Sequence, residues 1–98
     1  MRVISRKRLR EFGEQHADAV TPLDDWYSLV RSREYKSPAE VKVDFASVSF
    51  VSGDVTVFNI GGNKYRLSVT IRYRTGIVYI RRVLTHEEYD RRTRDGTL

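Results

Sequence analysis

The clearest hydropathy pattern in this chain is strict alternation from Lys64 to Arg74. Tyr65, Leu67, Val69, Ile71 and Tyr73 point one way, while Lys64, Arg66, Ser68, Thr70, Arg72 and Arg74 point the other, as on a strand with one buried face. Before it, Val55–Ile60 reads as a strand, and Gly61–Gly62 supply the φ > 0 conformations of a tight connection. After it, Thr75–Gly76 turns the chain into a third strand, Ile77–Leu84. There Val78, Ile80, Arg82 and Leu84 share one face, and Ile77, Tyr79, Arg81 and Val83 the other. An arginine sits in each set, so the pattern does not choose the core side. One helical turn closes the sheet. Thr85 as N-cap and Glu88 at N3 form a capping box that puts His86 and Tyr89 on one side of it.

Helical spacing dominates upstream. Arg2–Ser5 reads as a short edge strand, after which Ser5 caps a helix to about His16 with Leu9 and Phe12 on one face. Gly13 costs that helix roughly 1 kcal/mol against alanine, and Arg6, Lys7, Arg8 and Arg10 form its solvated side. Thr21 is expected at the N-cap and Pro22 at the first position of a second helix reaching about Glu34. Its stripe is Leu23, Trp26, Tyr27 and Val30, read as core packing. Ser37–Pro38–Ala39–Glu40 repeats the capping logic for a short helix to about Asp44 that buries Val41. Val48–Val51 is apolar but brief, and Ser52–Gly53–Asp54 reads as a turn into the sheet.

These elements predict a single α+β domain over 1–98, N-terminal helices packed on an antiparallel β-sheet, with 91–98 a flexible tail. No apolar run approaches the ~20 residues of a membrane span, and no apolar segment follows the basic N-terminus as a secretory signal requires. The absence of cysteine removes disulfides and thiol nucleophiles and suits a cytoplasmic protein. A net charge of +5 points to an acidic partner. Arginine dominates the cations after Tyr65, and its planar fork suits phosphate.

Metal-free scission of RNA needs a base for the 2′-OH, cations around the phosphorus, and an acid for the departing 5′-oxygen. Arg66 and Arg81, on neighbouring strands, can supply the cations. His86 and Tyr89 can move the protons, with Lys64 assisting. The plainer alternative is that His86 and Tyr89 only pin the C-terminal turn to the sheet. Two histidines, no cysteine and no carboxylate cluster on a strand end give no metal site, and no cofactor is expected. Gly61–Gly62 enters a strand rather than a helix, so it is no phosphate loop.

The segments MRVISRKRLREF, Trp26–Tyr27, Lys36–Ser37–Pro38, FNIGGNKYRL at 58–67 and IRRVLTHEEYD at 80–90 together resemble the HigB family of bacterial toxins, within the wider RelE/ParE superfamily. The resemblance implies a RelE-like fold and an mRNA interferase, an endoribonuclease that cuts messenger RNA, commonly on the ribosome, and arrests translation. It also implies a helix-turn-helix antitoxin (HigA-like) as partner. Family motifs fall on Asn59, Asn63, Lys64, Tyr65 and Arg66, then on Arg81, His86, Tyr89 and Asp90. Asn63, Arg72, Arg74 and Arg82 complete the expected RNA-binding set, Arg82 standing where the family often carries an apolar residue. Two other functions remain open: a non-catalytic RNA-binding module, and a toxin aimed at gyrase or another protein on the same fold.

Overall fold

Leu67 and Val69, with no exposed surface at all, mark the centre of the molecule. The computed structural model describes residues 1–51 and 53–97. Their strand, β4 (Tyr65–Arg72), lies in the middle of a five-stranded sheet. Beside it run β3 (Thr56–Ile60) and β5 (Ile77–Thr85), both antiparallel to it, and the edges are β2 (Ser49–Phe50) next to β3 and β1 (Arg2–Ile4) next to β5. The helices are α1 (Arg6–Gln15), α2 (Val20–Ser32), α3 (Pro38–Asp44) and α4 (His86–Asp95). The α+β class and the three central strands match the hydropathy reading. What the pattern did not place is the parallel pairing of β1 with β5, Arg2 to Ile77 through Ile4 to Tyr79. Parallel neighbours need a long crossover, and the helical half of the chain provides one.

The helices bury one face of the sheet. Leu9 of α1, Leu23, Trp26 and Val30 of α2, and Val41 of α3 meet Phe58, Ile60, Tyr65, Leu67, Val69, Ile71, Val78 and Ile80 in one cluster. Phe58 is its aromatic centre, edge-on to Trp26 at 5.4 Å and to Phe45 at 4.8 Å. Tyr27 packs against this cluster as expected but is only half-buried, and its ring also meets the Arg6 and Arg31 guanidiniums, 4.4 and 5.4 Å from its centre. Gly13 also gains a reason. A Cβ there would stand 2.9 Å from Val20 Cγ2, so the glycine lets α1 and α2 approach closely.

Three boundaries differ from the sequence reading. A 3₁₀ turn, Ala17–Ala19, runs directly into α2, so the helix begins at Val20 and Thr21 is inside it rather than capping it. Pro22 is tolerated at the third position because the first-turn N–H groups have no intrahelical acceptor. The same helix stops at Ser32, where Arg33 turns extended and the amino group of Met1 donates to Val30 O and Arg31 O. The C-terminal stretch is no tail up to Asp95: α4 continues past its first turn and ends on Gly96 at φ 70°, a left-handed C-cap. Of the expected turn, Gly53–Asp54 is a turn and Ser52 lies outside the described residues.

The ambiguity in β5 is resolved by a β-bulge. Ser68 pairs with Arg82, but Val69 pairs with Ile80, which leaves Arg81 as an extra residue. Ile80 and Val83 therefore both join the core side, and Arg81 and Arg82 between them are both exposed. The alternation that placed Val83 opposite Ile80 fails at this one residue.

A polar tie holds the α2–α3 connection. Asp44 accepts from the Tyr35 hydroxyl at 2.6 Å and from Arg33 Nε at 2.9 Å. These two bonds, Tyr35 first, hold the Asp44 carboxyl below its ordinary value of 3.8, while burial and then Asp44 push the Tyr35 hydroxyl up. The unfolded carboxyl binds more protons across that interval, so the tie stabilises fully above pH about 4 and is lost as pH falls through the lower folded value. Asp44→Asn is expected to flatten the acid limb of a stability-versus-pH curve measured by urea denaturation; an unchanged limb would place the acid sensitivity elsewhere. Phe58→Ala should cost about 3–5 kcal/mol by the same measurement. Val43→Ala, at a position 83% exposed, should stay within about 0.5 kcal/mol, and equal losses would mean that Phe58 is not the core's centre.

Candidate active site

The sheet face turned away from the core cluster carries Arg66 and Arg82 of the expected site residues. Across the strands, Asn59, Arg66 and Leu84 form one row and Val57, Ser68 and Arg82 the next. Val57, Ser68 and Leu84 are buried, Leu84 where the chain passes into α4. The bulge adds Arg81 beside Arg82 without a residue intervening. Two adjacent cations therefore stand on the strand next to Arg66. The bulge carbonyl is itself held: Arg8 Nη1 donates to Arg81 O at 2.7 Å. Because β1 covers only Ile77–Tyr79, this part of β5 has an open edge, and α1 closes it with Arg8. Arg8 was expected to be merely solvated; nothing in its helical spacing marks this contact.

The capping box at the start of α4 forms as the sequence indicated. Thr85 Oγ1 accepts from Glu88 N at 3.2 Å, and Glu88 Oε1 accepts from Thr85 N at 2.9 Å. The Thr85 amide, first among its causes, holds the Glu88 carboxyl below the usual range. His86 N then donates to Lys64 O at 3.0 Å, which ties the helix start to the β3–β4 turn. His86 and Tyr89 diverge from there. The imidazole Nδ1 lies 3.1 Å from Asp90 Oδ2, one helical turn on. Tyr89, half-buried, has its ring centre 5.6 Å from the Arg66 guanidinium carbon. Arg66 Nη1 also donates to Asn63 O at 3.1 Å and Tyr65 O at 3.2 Å, so this guanidinium is braced from two sides. Asn63 Oδ1 accepts from Asn59 Nδ2 at 3.4 Å. Asp90 is a partner that the sequence reading left out of the site, although its i+4 spacing from His86 was there to be read.

The nine expected residues do not form one patch. Asn63, Arg66, Arg81, Arg82, His86 and Tyr89 belong to the sheet end that holds the bulge and the start of α4. Lys64 is in the same turn, but its Nζ lies 2.9 Å from Asp18 Oδ2. Asp18 also accepts from the Tyr65 hydroxyl. Tyr65 first and Lys64 second hold this carboxyl below its ordinary value, and the same bond pushes the Tyr65 hydroxyl up. His16 completes the group, stacked on Phe12 at 4.2 Å and edge-on to Tyr65 at 5.4 Å. Arg72, six residues along β4 from Arg66 and so roughly 20 Å away, is ion-paired with Asp54 at 2.8 Å. Arg74 lies beyond the strand in the β4–β5 turn. Among the described residues no three His, Asp or Glu side chains gather as metal ligands.

A family model described as HigB toxin, the RelE-like toxic component of a toxin–antitoxin system, matches residues 19–92. That span holds the bulge, the β3–β4 turn and the first two turns of α4, and begins just after Asp18. The chain is 33% identical over 92 residues to the mRNA interferase toxin HigB of Escherichia coli K12, covering 92% of this chain and 88% of that protein. Identity and coverage are the same for the mRNA interferase HigB of Shigella flexneri. A more distant mRNA interferase HigB, from Escherichia coli O6:H1, is 22% identical over 96% of this chain and 93% of its own. On the match of the family model and the near full-length identity to these toxins, the chain belongs to the HigB family of RelE-like toxins of toxin–antitoxin systems.

Proposed function

We propose that this protein is an mRNA interferase, an endoribonuclease that cuts messenger RNA and so stops translation. The observation that carries the reading is the gathering at one sheet end of three arginines, a tyrosine whose ring faces one of them, and a carboxylate-paired histidine, in a chain whose relatives are named for this activity. Arg66 and the bulge pair Arg81 and Arg82 bind the phosphate on both sides of the scissile bond. As the 2′-oxygen attacks, charge builds on the non-bridging oxygens, and fixed guanidiniums stabilise it more than they stabilise the ground state. His86 and Tyr89 divide the proton work, removing the 2′-OH proton and supplying one to the 5′-oxygen. Asp90 holds the imidazole through Nδ1, which leaves Nε2 for the substrate. Lys64, engaged by Asp18, positions the turn that carries Asn63 and Arg66, and Asn63 helps hold the RNA. No step calls for a metal or cofactor.

The substrate places the protein in the cytoplasm, with the ribosome as the setting in which mRNA is presented. A helix-turn-helix antitoxin of the HigA type neutralises it. No helix among the described residues is long and apolar enough to cross a membrane.

Induced expression with mapping of mRNA 5′ ends tests the reading. Wild type should arrest growth and create new 5′ ends that vanish in His86→Ala. Arg66→Ala or Arg81→Ala should each lower cleavage about 10²–10³-fold, as loss of one charge-stabilising donor does, while Arg10→Ala behaves as wild type. Arrest with intact mRNA would transfer the activity to a protein target. Full cleavage by His86→Ala would leave the histidine a structural pin.

A further inference from the structure

The sheet end remote from the candidate active site holds a second concentration of positive charge. A cleft of about 620 Å³ opens between β1, the end of α2 and the β4–β5 turn, with Arg2, Arg31, Lys36 and Arg74 in its walls. Against these four cations the lining has one carboxylate, Glu34, which lies 3.9 Å from Lys36. Among the described residues no carboxylate is within ion-pair distance of Arg2, Arg31 or Arg74. The neighbouring cations Arg33 and Arg72 are each neutralised, by Asp44 and Asp54. Charge compensation is thus applied to Arg33 and Arg72 around the cleft, and inside it only to Lys36. The Tyr73 hydroxyl, which also lines the cleft, is buried and has no hydrogen-bond partner among the described residues. Buried polar groups are usually paired, so an unpaired one calls for a partner.

We infer that this cleft is a second phosphate-binding site, which takes the sugar–phosphate backbone of the bound RNA several nucleotides from the scissile bond. The inference rests on the reading that the substrate is RNA. Gathered arginines with tyrosine hydroxyls are the chemistry of backbone contacts, which position a strand without reading its sequence. Arginine clusters also take acidic peptides; the RNA backbone is favoured here because the same molecule gathers arginines at the candidate active site, and the peptide is the alternative that the test separates. With Arg66 and the bulge pair at the other end, the protein grips one strand at two places, Arg66 and Arg74 lying eight residues and so roughly 25 Å apart along the strand direction. The contact at the cleft contributes to substrate affinity and not to the chemical step.

The test uses the full chain with 2′-O-methyl oligouridylates, which lack the attacking hydroxyl, one long enough to span the sheet and one too short. The Arg31→Gln/Arg74→Gln variant changes two exposed side chains and should keep the wild-type Tm. It should bind the long oligomer more weakly, with the slope of log K against log salt shallower by about 1.4 for two lost contacts to a single strand. Binding of the short oligomer should not change, nor should kcat on saturating mRNA. Tyr73→Phe should weaken the long oligomer too, without lowering Tm; a lower Tm with unaltered binding would make the hydroxyl structural. An unchanged slope in the double variant, or an equal drop in Arg10→Gln/Lys42→Gln, would overturn the proposal, as would loss of polyglutamate binding with RNA binding intact. If wild type binds the long oligomer and Arg81→Gln still weakens it, only the cleft proposal has failed. If wild type binds no RNA, the functional reading fails with it.

Discussion

The hydrophobic face of β4 is the constraint on which the rest of the structure depends. Leu67 and Val69 are fully enclosed, and Phe58 and Ile80 flank them on the neighbouring strands. A strand alternates its side chains, so burying these residues under the helices sends Arg66, Ser68 and Arg72 to the other face. That second face is itself buried at Val57, Ser68 and Leu84, and its arginines are the side chains it leaves toward solvent. Fold stability and the candidate site are two consequences of one alternation.

That face is then edited by local interactions. Asp54 neutralises Arg72, and Asp18 draws Lys64 toward the helical layer, so neither cation is left free beside Arg66. The bulge works in the opposite direction. By inserting one residue between Ile80 and Val83, it puts two arginines in succession on the open side, where strict alternation would have buried one of them or broken the core. The Arg8 guanidinium on the bulge carbonyl holds this irregular backbone from the helical layer, and so links α1 to the site without entering it.

The remaining pieces are brought in by hydrogen bonds at chain turns. The capping box fixes where α4 starts, and the bond from His86 N to Lys64 O fixes where that start sits on the sheet. From there helical geometry sends Tyr89 toward Arg66 and leaves His86 with Asp90. His86, Tyr89 and Arg66 thus share one end of the sheet because a turn and a helix terminus satisfy each other's backbone groups. The other end, with its uncompensated arginines around a polar cleft, is assembled from β1, α2 and the β4–β5 turn, elements that meet only after the crossover has closed.

Much of this was determined by the sequence itself. Alternation from Lys64 to Arg74 specified the central strand and its buried side, because that pattern has only one low-energy arrangement once a face must be covered. Capping chemistry at Ser5, Ser37 and Thr85 located three helix starts, since each side chain satisfies an amide within its own turn. The membership of Arg66, Arg81, His86 and Tyr89 in one region followed from strand adjacency. Only the tertiary structure decided the rest. The parallel place of β1, the bulge at Arg81, the capture of Lys64 by Asp18 and the contact from Arg8 all join residues distant in the chain. No periodicity encodes such contacts. They depend on which surfaces meet when the helices pack, and a one-residue bulge is stabilised by the core on both sides of it rather than by any residue type of its own. For the same reason Arg72 and Arg74 read as neighbours of Arg66, while the folded molecule gives Arg72 a carboxylate and Arg74 a different end of the sheet.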